Sequence, residues 1–142
     1  MNTFLTKYAL QNQNSDSSTT YVAILHNMVI GYYTLAVGSV AHADAPSRIT
    51  KGLAKYPIPV SILARLAVDK SQQKKGIGRG LLKDCLTRVN AVSDILGIRA
   101  LIVHAKNDDV RKWYEQFDFP SSLTDELHLF LLLKDIRKIL NS

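Results

Sequence analysis

Cysteine is almost absent from this sequence, whose 142 residues contain one, Cys85. A single cysteine excludes an internal disulfide and a metal centre built on thiolates. No apolar run approaches the roughly 18 residues that a membrane-spanning helix needs, and no secretory signal can be recognised. We therefore expect a cytoplasmic protein that holds no metal and has no membrane partner.

Glycine, proline and acidic residues are also scarce, with 7 Gly, 4 Pro and 12 Asp+Glu against 18 Lys+Arg. Because 46% of the residues are hydrophobic, wholesale disorder is excluded, and the length favours one domain over residues 1–142. The net charge of +6 indicates an anionic partner such as a nucleotide cofactor, RNA or an acidic protein. Most of this excess lies between residues 61 and 115, where eleven basic residues accompany six acidic ones.

The order of hydrophobic patterns predicts an α/β or α+β domain in which helices flank one mixed sheet. The predicted elements, in chain order, are a helix over 4–9, a loop over 11–20, a hairpin of strands 21–25 and 29–37, a proline-bearing loop over 41–59, a strand over 60–68, a helix ending at Gly97, a strand over 98–103, a helix capped by Asn107, a strand over 127–133 and a helix over 134–140. Cys85 falls on the apolar stripe of the long helix with Leu81, Leu82, Val89 and Val92, which predicts a packed side chain and not a nucleophile.

A glycine-bearing loop joins the strand over 60–68 to the long helix, and this order of elements makes an anion site. Unpaired N–H groups at a helix start point outward, and the helix dipole favours negative charge there. Lys74, Lys75 and Arg79 add positive charge. A Walker loop is disfavoured because Arg79 follows Gly78, and a dinucleotide fingerprint is weak because Leu81 stands at its third glycine.

The motif Gln73-x-x-Gly76-x-Gly78 resembles the acetyl-CoA pyrophosphate loop of the GNAT N-acetyltransferase superfamily, which has the form Gln/Arg-x-x-Gly-x-Gly/Ala. Residues 65–69, 97–105 and 113–119 resemble, in order and spacing, the GNAT toxins of type II toxin–antitoxin pairs. Residues 1–5 and 12–13 are similar to the first helix of that subgroup and the loop after it. The resemblance covers most of the chain and implies the GNAT fold, acetyl-CoA as co-substrate and acetyl transfer to an amine.

Carried over position by position, the resemblance implies a cofactor site on both sides of this loop. The strand before the loop would pair its backbone with the pantetheine arm, and the loop would hold the pyrophosphate. The implied cofactor-binding residues are Leu66, Ala67, Val68, Gln73, Lys74, Lys75, Gly76, Ile77, Gly78, Arg79, Gly80 and Asn107.

Tyr114 matches the family's tyrosine whose hydroxyl lies near the CoA sulfur, so the resemblance implies a catalytic role. The leaving thiolate has to be protonated or stabilised, and a phenol with an ordinary pKa of about 10 can donate a proton while it is neutral. Spacing alone favours a core aromatic beside Trp113 and Phe117. The general base is open, because a water relay beginning at His104 would suffice, although a histidine at a strand end is more often structural.

The toxin subgroup acetylates the amino group of aminoacyl-tRNA and thereby blocks translation. The basic excess agrees with this acceptor, because sequence-independent phosphate contacts supply most nucleic-acid affinity. The resemblance also implies a homodimer and a ribbon-helix-helix antitoxin as partner. The candidates for contact with tRNA are Arg48, Lys51, Lys55, Lys106 and Arg111.

Two departures from the subgroup leave other functions open. The chain begins where the subgroup has its first helix, which predicts a fold lacking the first strand, and Asp118 stands where the family generally has Gly. The alternatives are an N-acetyltransferase of a small amine or a protein N-terminus, and an amino-terminally truncated acetyl-CoA-binding remnant with little activity.

Overall fold

Six strands and three helices make up most of the chain that the structure, a computed structural model, describes. The described residues are 4–11, 18–40, 57–117, 119 and 127–141, the first range by its backbone alone. The strands are β1 (Phe4–Gln11), β2 (Ser18–Leu25), β3 (Met28–Val40), β4 (Ile58–Val68), β5 (Ala100–His104) and β6 (His128–Leu132). The helices are α1 (Ile77–Leu96), α2 (Asp108–Glu115) and α3 (Leu133–Leu140), and a 3₁₀ turn at Lys70–Gln72 precedes α1.

The strands form one mixed sheet in the order β1-β2-β3-β4-β5-β6. Neighbours are antiparallel except β4 and β5, which run parallel. A parallel pair needs a crossover connection, and α1 lies in the segment that makes it. This arrangement confirms the predicted fold class, a mixed sheet flanked by helices.

Local sequence signals set several boundaries as predicted. His26 and Asn27 have positive φ angles of 50° and 63°, which suits a two-residue hairpin turn between β2 and β3. Helix α1 ends where Gly97 takes the left-handed conformation at φ 70°. Helix α2 begins after Asn107, whose side chain accepts a hydrogen bond from the Val110 N–H at 3.0 Å.

The amino-terminal segment differs from the prediction, because Phe4–Gln11 forms strand β1 with Phe4 opposite Ile24 and Gln11 opposite Thr19. The helix predicted over 4–9 is wrong: a short apolar pattern stabilises a helix only weakly, whereas the edge of β2 offers backbone hydrogen bonds. Strand β1 pairs with the outer edge of β2, whereas the sequence predicted that the first strand of the fold would be missing. Of the residues predicted as loop over 11–20, Gln11 belongs to β1 and residues 18–20 belong to β2. Residues 1–3, 12–17, 41–56, 118, 120–126 and 142 lie outside the described part of the chain.

One face of the sheet packs against α1 and α3 and forms the larger hydrophobic cluster. The predicted stripe of α1 is buried at Leu81, Leu82, Cys85 and Val89, whereas Val92 is 38% exposed. The burial of Cys85 confirms that its side chain packs as a small hydrophobe. A smaller cluster on the opposite face joins Ile58, Val60, Ala100, Ile102, Phe130 and Leu132.

Candidate active site

Strands β4 and β5 separate at one end, and this divergence creates the site. They pair only from Ser61 opposite Leu101 to Leu63 opposite Val103, although β4 continues to Val68. Over residues 65–68 the other edge of β4 stays paired with β3. The described residues place no strand beside the β5-facing edge there, so its backbone groups are available to an extended ligand.

The loop after β4 turns sharply into α1. Asp69 begins it by accepting hydrogen bonds from the Ser71 hydroxyl and backbone N–H, and these bonds hold the pKa of the Asp69 carboxyl below its ordinary value. Lys74 and Gly76 have positive φ angles of 66° and 80°. The left-handed conformation of these two residues turns the chain towards the start of α1. No side chain caps the start of α1 at Gly76. The first N–H groups of α1 therefore remain open to an anion.

A cavity of about 630 Å³ lies between the end of β4, this loop and α2. Its size falls in the range of pockets for small molecules and cofactors. The cavity brings together eight of the predicted cofactor residues and the predicted catalytic tyrosine: Leu66, Val68, Gln73, Lys74, Gly76, Ile77, Gly78, Arg79 and Tyr114. Residues from a strand, a loop and two helices thus converge on one hollow.

Four predicted cofactor residues do not line this cavity. Ala67 alternates with its lining neighbours along β4, as strand geometry requires. The Lys75 ammonium donates to the Gln72 side-chain carbonyl at 3.4 Å. Gly80 lies one turn into α1, and Asn107 uses its side chain to cap α2.

Sequence reasoning missed six residues that line the cavity: Gln72, Asp109, Val110, Trp113, Gln116 and Phe117. Spacing favoured a core position for Trp113 and Phe117, and Val110 shares their helical spacing. They are only partly buried, because the divergence of β4 and β5 leaves a hollow in front of that stripe. The apolar spacing on α2 was the available signal, but it looks the same for a core and for a pocket wall.

Tyr114 is 5% exposed and packs edge-on against Trp113 and Phe119, with ring centroids 4.9 and 5.5 Å away. Burial, followed by the nearby Cys85, raises the pKa of the Tyr114 phenol well above its ordinary value. None of the described residues hydrogen-bonds the Tyr114 hydroxyl. A neutral phenol whose hydroxyl bonds none of the described residues therefore lies at the cavity wall.

Positive charge surrounds the loop side of the cavity. Lys70, Lys74, Lys75 and Arg79 are all exposed. The Arg79 guanidinium lies 5.2 Å from the centroid of the Phe117 ring, so an aromatic wall and a cation meet at the rim. Such a rim suits a ligand that carries phosphate groups.

The predicted tRNA-contacting residues are only partly described, since Arg48, Lys51 and Lys55 lie outside the described ranges. Lys106 is exposed just before α2. The Arg111 side chain is 19% exposed and pairs with Asp108 and Glu115 of its own helix at 3.7 and 3.4 Å.

His104, considered as the start of a water relay, stacks on the ring of His128 with centroids 4.1 Å apart. Among the residues that the structure describes, no three His, Cys, Asp or Glu side chains group to hold a metal. The helices in these same ranges are too short or too polar to span a membrane.

The chain is similar to known acetyltransferases in both sequence and structure. Residues 16–120 match the family model of the acetyltransferase (GNAT) domain. A tRNA-acetylating toxin of Mycobacterium tuberculosis is 45% identical over 137 residues, which cover 96% of this chain and 82% of the relative. The solved structure of AtaT complexed with acetyl-methionyl-tRNAfMet aligns with a TM-score of 0.79 at 28% identity, covering 86% of this chain and 75% of that one. An AtaT mutant bound to acetyl-CoA and the C-terminus of the antitoxin AtaR aligns with a TM-score of 0.72 at 27% identity, covering 88% and 73%.

Proposed function

The chain belongs to the GNAT acetyltransferase family, and from that premise we propose that it is a toxin that acetylates the amino group of aminoacyl-tRNA with acetyl-CoA. Acetylation blocks the amine that translation must use, so the protein would stop protein synthesis in the cytoplasm. The observation that carries the proposal is the cavity at the diverging strands, which joins the cationic loop to Tyr114. The 45% identity to a tRNA-acetylating toxin supports this acceptor over other amines.

The residues around the cavity fit acetyl-CoA as the acetyl donor. The open edge of β4 at Leu66–Val68 offers backbone groups to the amide-bearing pantetheine arm. The uncapped start of α1 after Gly76 and the cations Lys74 and Arg79 fit the pyrophosphate. A similar AtaT structure has acetyl-CoA bound, which supports the same donor here.

In this proposal Tyr114 serves as the general acid. When the neutral amine attacks the thioester carbonyl, a carbon–nitrogen bond forms and the carbon–sulfur bond breaks. Tyr114 donates its phenolic proton to the departing sulfur, and the proton that the nitrogen loses as the amide forms returns to the phenol through water. Its raised pKa keeps the proton on the phenol at neutral pH, and its hydroxyl has no competing partner among the described residues. The acceptor is an α-amine whose ester lowers its pKa below the ordinary value of about 8, so much of it is already neutral. No strong protein base is then needed.

The tRNA would lie against the basic side of the molecule. Lys106 supports this placement because it is exposed beside the cavity-lining helix α2, and Lys112 is exposed on α2 itself. Arg111 contributes less to such a surface because it is paired within its own helix. We also propose that the protein forms a homodimer and binds a ribbon-helix-helix antitoxin. The AtaT structure with the C-terminus of its antitoxin supports an antitoxin as partner.

The test is transfer of label from [¹⁴C]acetyl-CoA to charged total tRNA, with deacylated tRNA as the matched control. We expect label in the charged tRNA alone. Mild alkali should release it as an N-acetylamino acid, because the ester linkage hydrolyses and the new amide does not. Parallel reactions contain small amines and a peptide with a free N-terminus.

Each outcome has a defined meaning. Labelling of a small amine or the peptide without tRNA would overturn the toxin assignment and leave an N-acetyltransferase of another amine. Binding of acetyl-CoA without transfer to any acceptor would identify a weakly active remnant.

A further inference from the structure

The backbone conformation of Gly78 does not explain why this residue is glycine. It is the second residue of α1, and positive φ angles occur at Gly76 and Gly97 but not at Gly78. Alanine forms helix better than glycine, so local structure would favour alanine at this position. The helix itself therefore gives no reason for glycine at this position.

The space beside Gly78 is filled by the indole of Trp113. A Cβ at residue 78 would lie 3.3 Å from Trp113 Cζ2 and 3.8 Å from Trp113 Cη2, and 3.7 Å from a methyl group of Val68. The first of these distances is too short for an ordinary contact, so the indole would have to move by a few tenths of an ångström. At Gly80, two residues along the same helix, a Cβ would meet nothing within 4 Å.

Trp113 is held on its other sides by the aromatic rings of the site. Its ring meets Tyr114 at 84° with centroids 4.9 Å apart and Phe117 at 68° with centroids 5.0 Å apart. The Phe117 ring in turn supports the Arg79 guanidinium. A displaced indole would therefore push on the ring that carries the proposed general acid.

We propose that Trp113 is a positioning residue that joins the phosphate-binding loop to Tyr114, and that in this chain its indole is what disfavours a side chain at residue 78. The indole of Trp113 packs against the Cα of Gly78, and the indole held in this position sets the angle of the Tyr114 ring. The inference rests on the proposed function for the role of Tyr114, but the packing of Trp113 on Gly78 does not depend on it. Gly78 on this account is required by a neighbouring side chain and not by close approach of the phosphate.

The experiment compares Gly78→Ala in two backgrounds, the natural chain and Trp113→Phe. Phenylalanine keeps an aromatic ring between Tyr114 and Phe117 but lacks the far edge of the indole that touches Gly78. In the natural background we expect Gly78→Ala to lower kcat about tenfold through misplacement of Tyr114, with the Kd of CoA changed by no more than about twofold. In the Trp113→Phe background the same substitution should change kcat by less than about twofold.

A second readout is thermal unfolding without ligand, which tests the packing even if no acceptor is acetylated. Gly78→Ala should lower the Tm by about 3 °C or more in the natural chain and should not lower it in the Trp113→Phe background. Gly80→Ala is the matched control for this measurement, and its effect should be the same in both backgrounds.

The inference is overturned if Gly78→Ala weakens CoA binding more than about tenfold in both backgrounds, because the phosphate itself would then require the glycine. Unchanged kcat and Tm in the natural background would overturn it as well. Failure of every acceptor to be acetylated would refute the proposed function, and the unfolding comparison would still decide whether Trp113 excludes a side chain at residue 78.

Discussion

Replacing Tyr114 by phenylalanine removes one oxygen from the site and little else. The phenyl ring keeps the edge-on contacts with Trp113 and Phe119. The lost hydroxyl has no hydrogen-bond partner among the described residues, so none of these residues loses a hydrogen bond through the change. We therefore expect the Tm of Tyr114→Phe to stay within about 2 °C of the natural protein.

The effect on catalysis should be large. A positioned general acid contributes about 10²–10⁴ to a rate, so we expect kcat for acetyl transfer to fall at least about 100-fold, which equals about 3 kcal/mol of transition-state stabilisation. The KM for acetyl-CoA should change by less than about twofold, because the hydroxyl acts on the departing sulfur and not on the phosphates. The assay measures initial rates with labelled acetyl-CoA and charged tRNA, beside circular dichroism for the Tm.

The pH dependence follows from the raised pKa of Tyr114. Its ordinary value is about 10, and burial places the value in the folded protein higher. The protonated phenol is the active acid, so titration of Tyr114 should not lower the natural rate below about pH 10. The stability that its protonation contributes is likewise complete below the unfolded pKa and is lost only as pH rises through the higher folded pKa.

Two results would refute this reasoning. A Tyr114→Phe rate within about threefold of the natural one would remove Tyr114 from the chemistry, since general acids contribute far more than that. A Tm lower by more than about 5 °C would mean that the hydroxyl supports the fold, and lost activity would then say nothing about proton donation.

Further predictions concern the core and the cavity. The Tyr33 hydroxyl donates to the Asp84 carboxylate and accepts from Arg88 Nε at 3.0 Å, so Tyr33→Phe should cost about 1–2 kcal/mol and about 3–6 °C in Tm. Tyr32→Phe is the control, because the Tyr32 hydroxyl bonds none of the described residues. An equal loss in both variants would contradict this assignment. Burial raises the pKa of the Cys85 thiol, so iodoacetamide at about pH 8 should label Cys85 only when urea unfolds the chain. Rapid labelling of the folded protein would contradict this prediction and show that α1 opens. Trp113 is the single tryptophan and lines the cavity, so its fluorescence should change on titration with CoA until the site is saturated. If calorimetry shows saturation with CoA while the fluorescence spectrum is unchanged, the ligand binds elsewhere.

Features that depend on near neighbours in the chain were predictable. The cap at Asn107 and the helix end at Gly97 each rest on a backbone conformation or hydrogen bond within four residues. The loop from Gln73 to Gly80 was recognisable for the same reason, because an anion site at a helix start is built from consecutive residues. The amino-terminal helix failed where a local pattern competed with a distant partner, since β1 forms against the edge of β2.

The sequence by itself determined the family, the mixed sheet with its helices, the anion-binding loop and the candidate tyrosine. Only the tertiary structure decided that β4 and β5 part after Leu63, that a cavity opens there, and that Trp113 lines its wall while it also packs against the core. The physical reason is that an apolar stripe records which side of a helix avoids water but not whether protein or ligand covers it. The same holds for Gly78, whose spacing suits a phosphate but whose nearest side-chain neighbour is an indole brought to it from α2 by the packing of the whole domain.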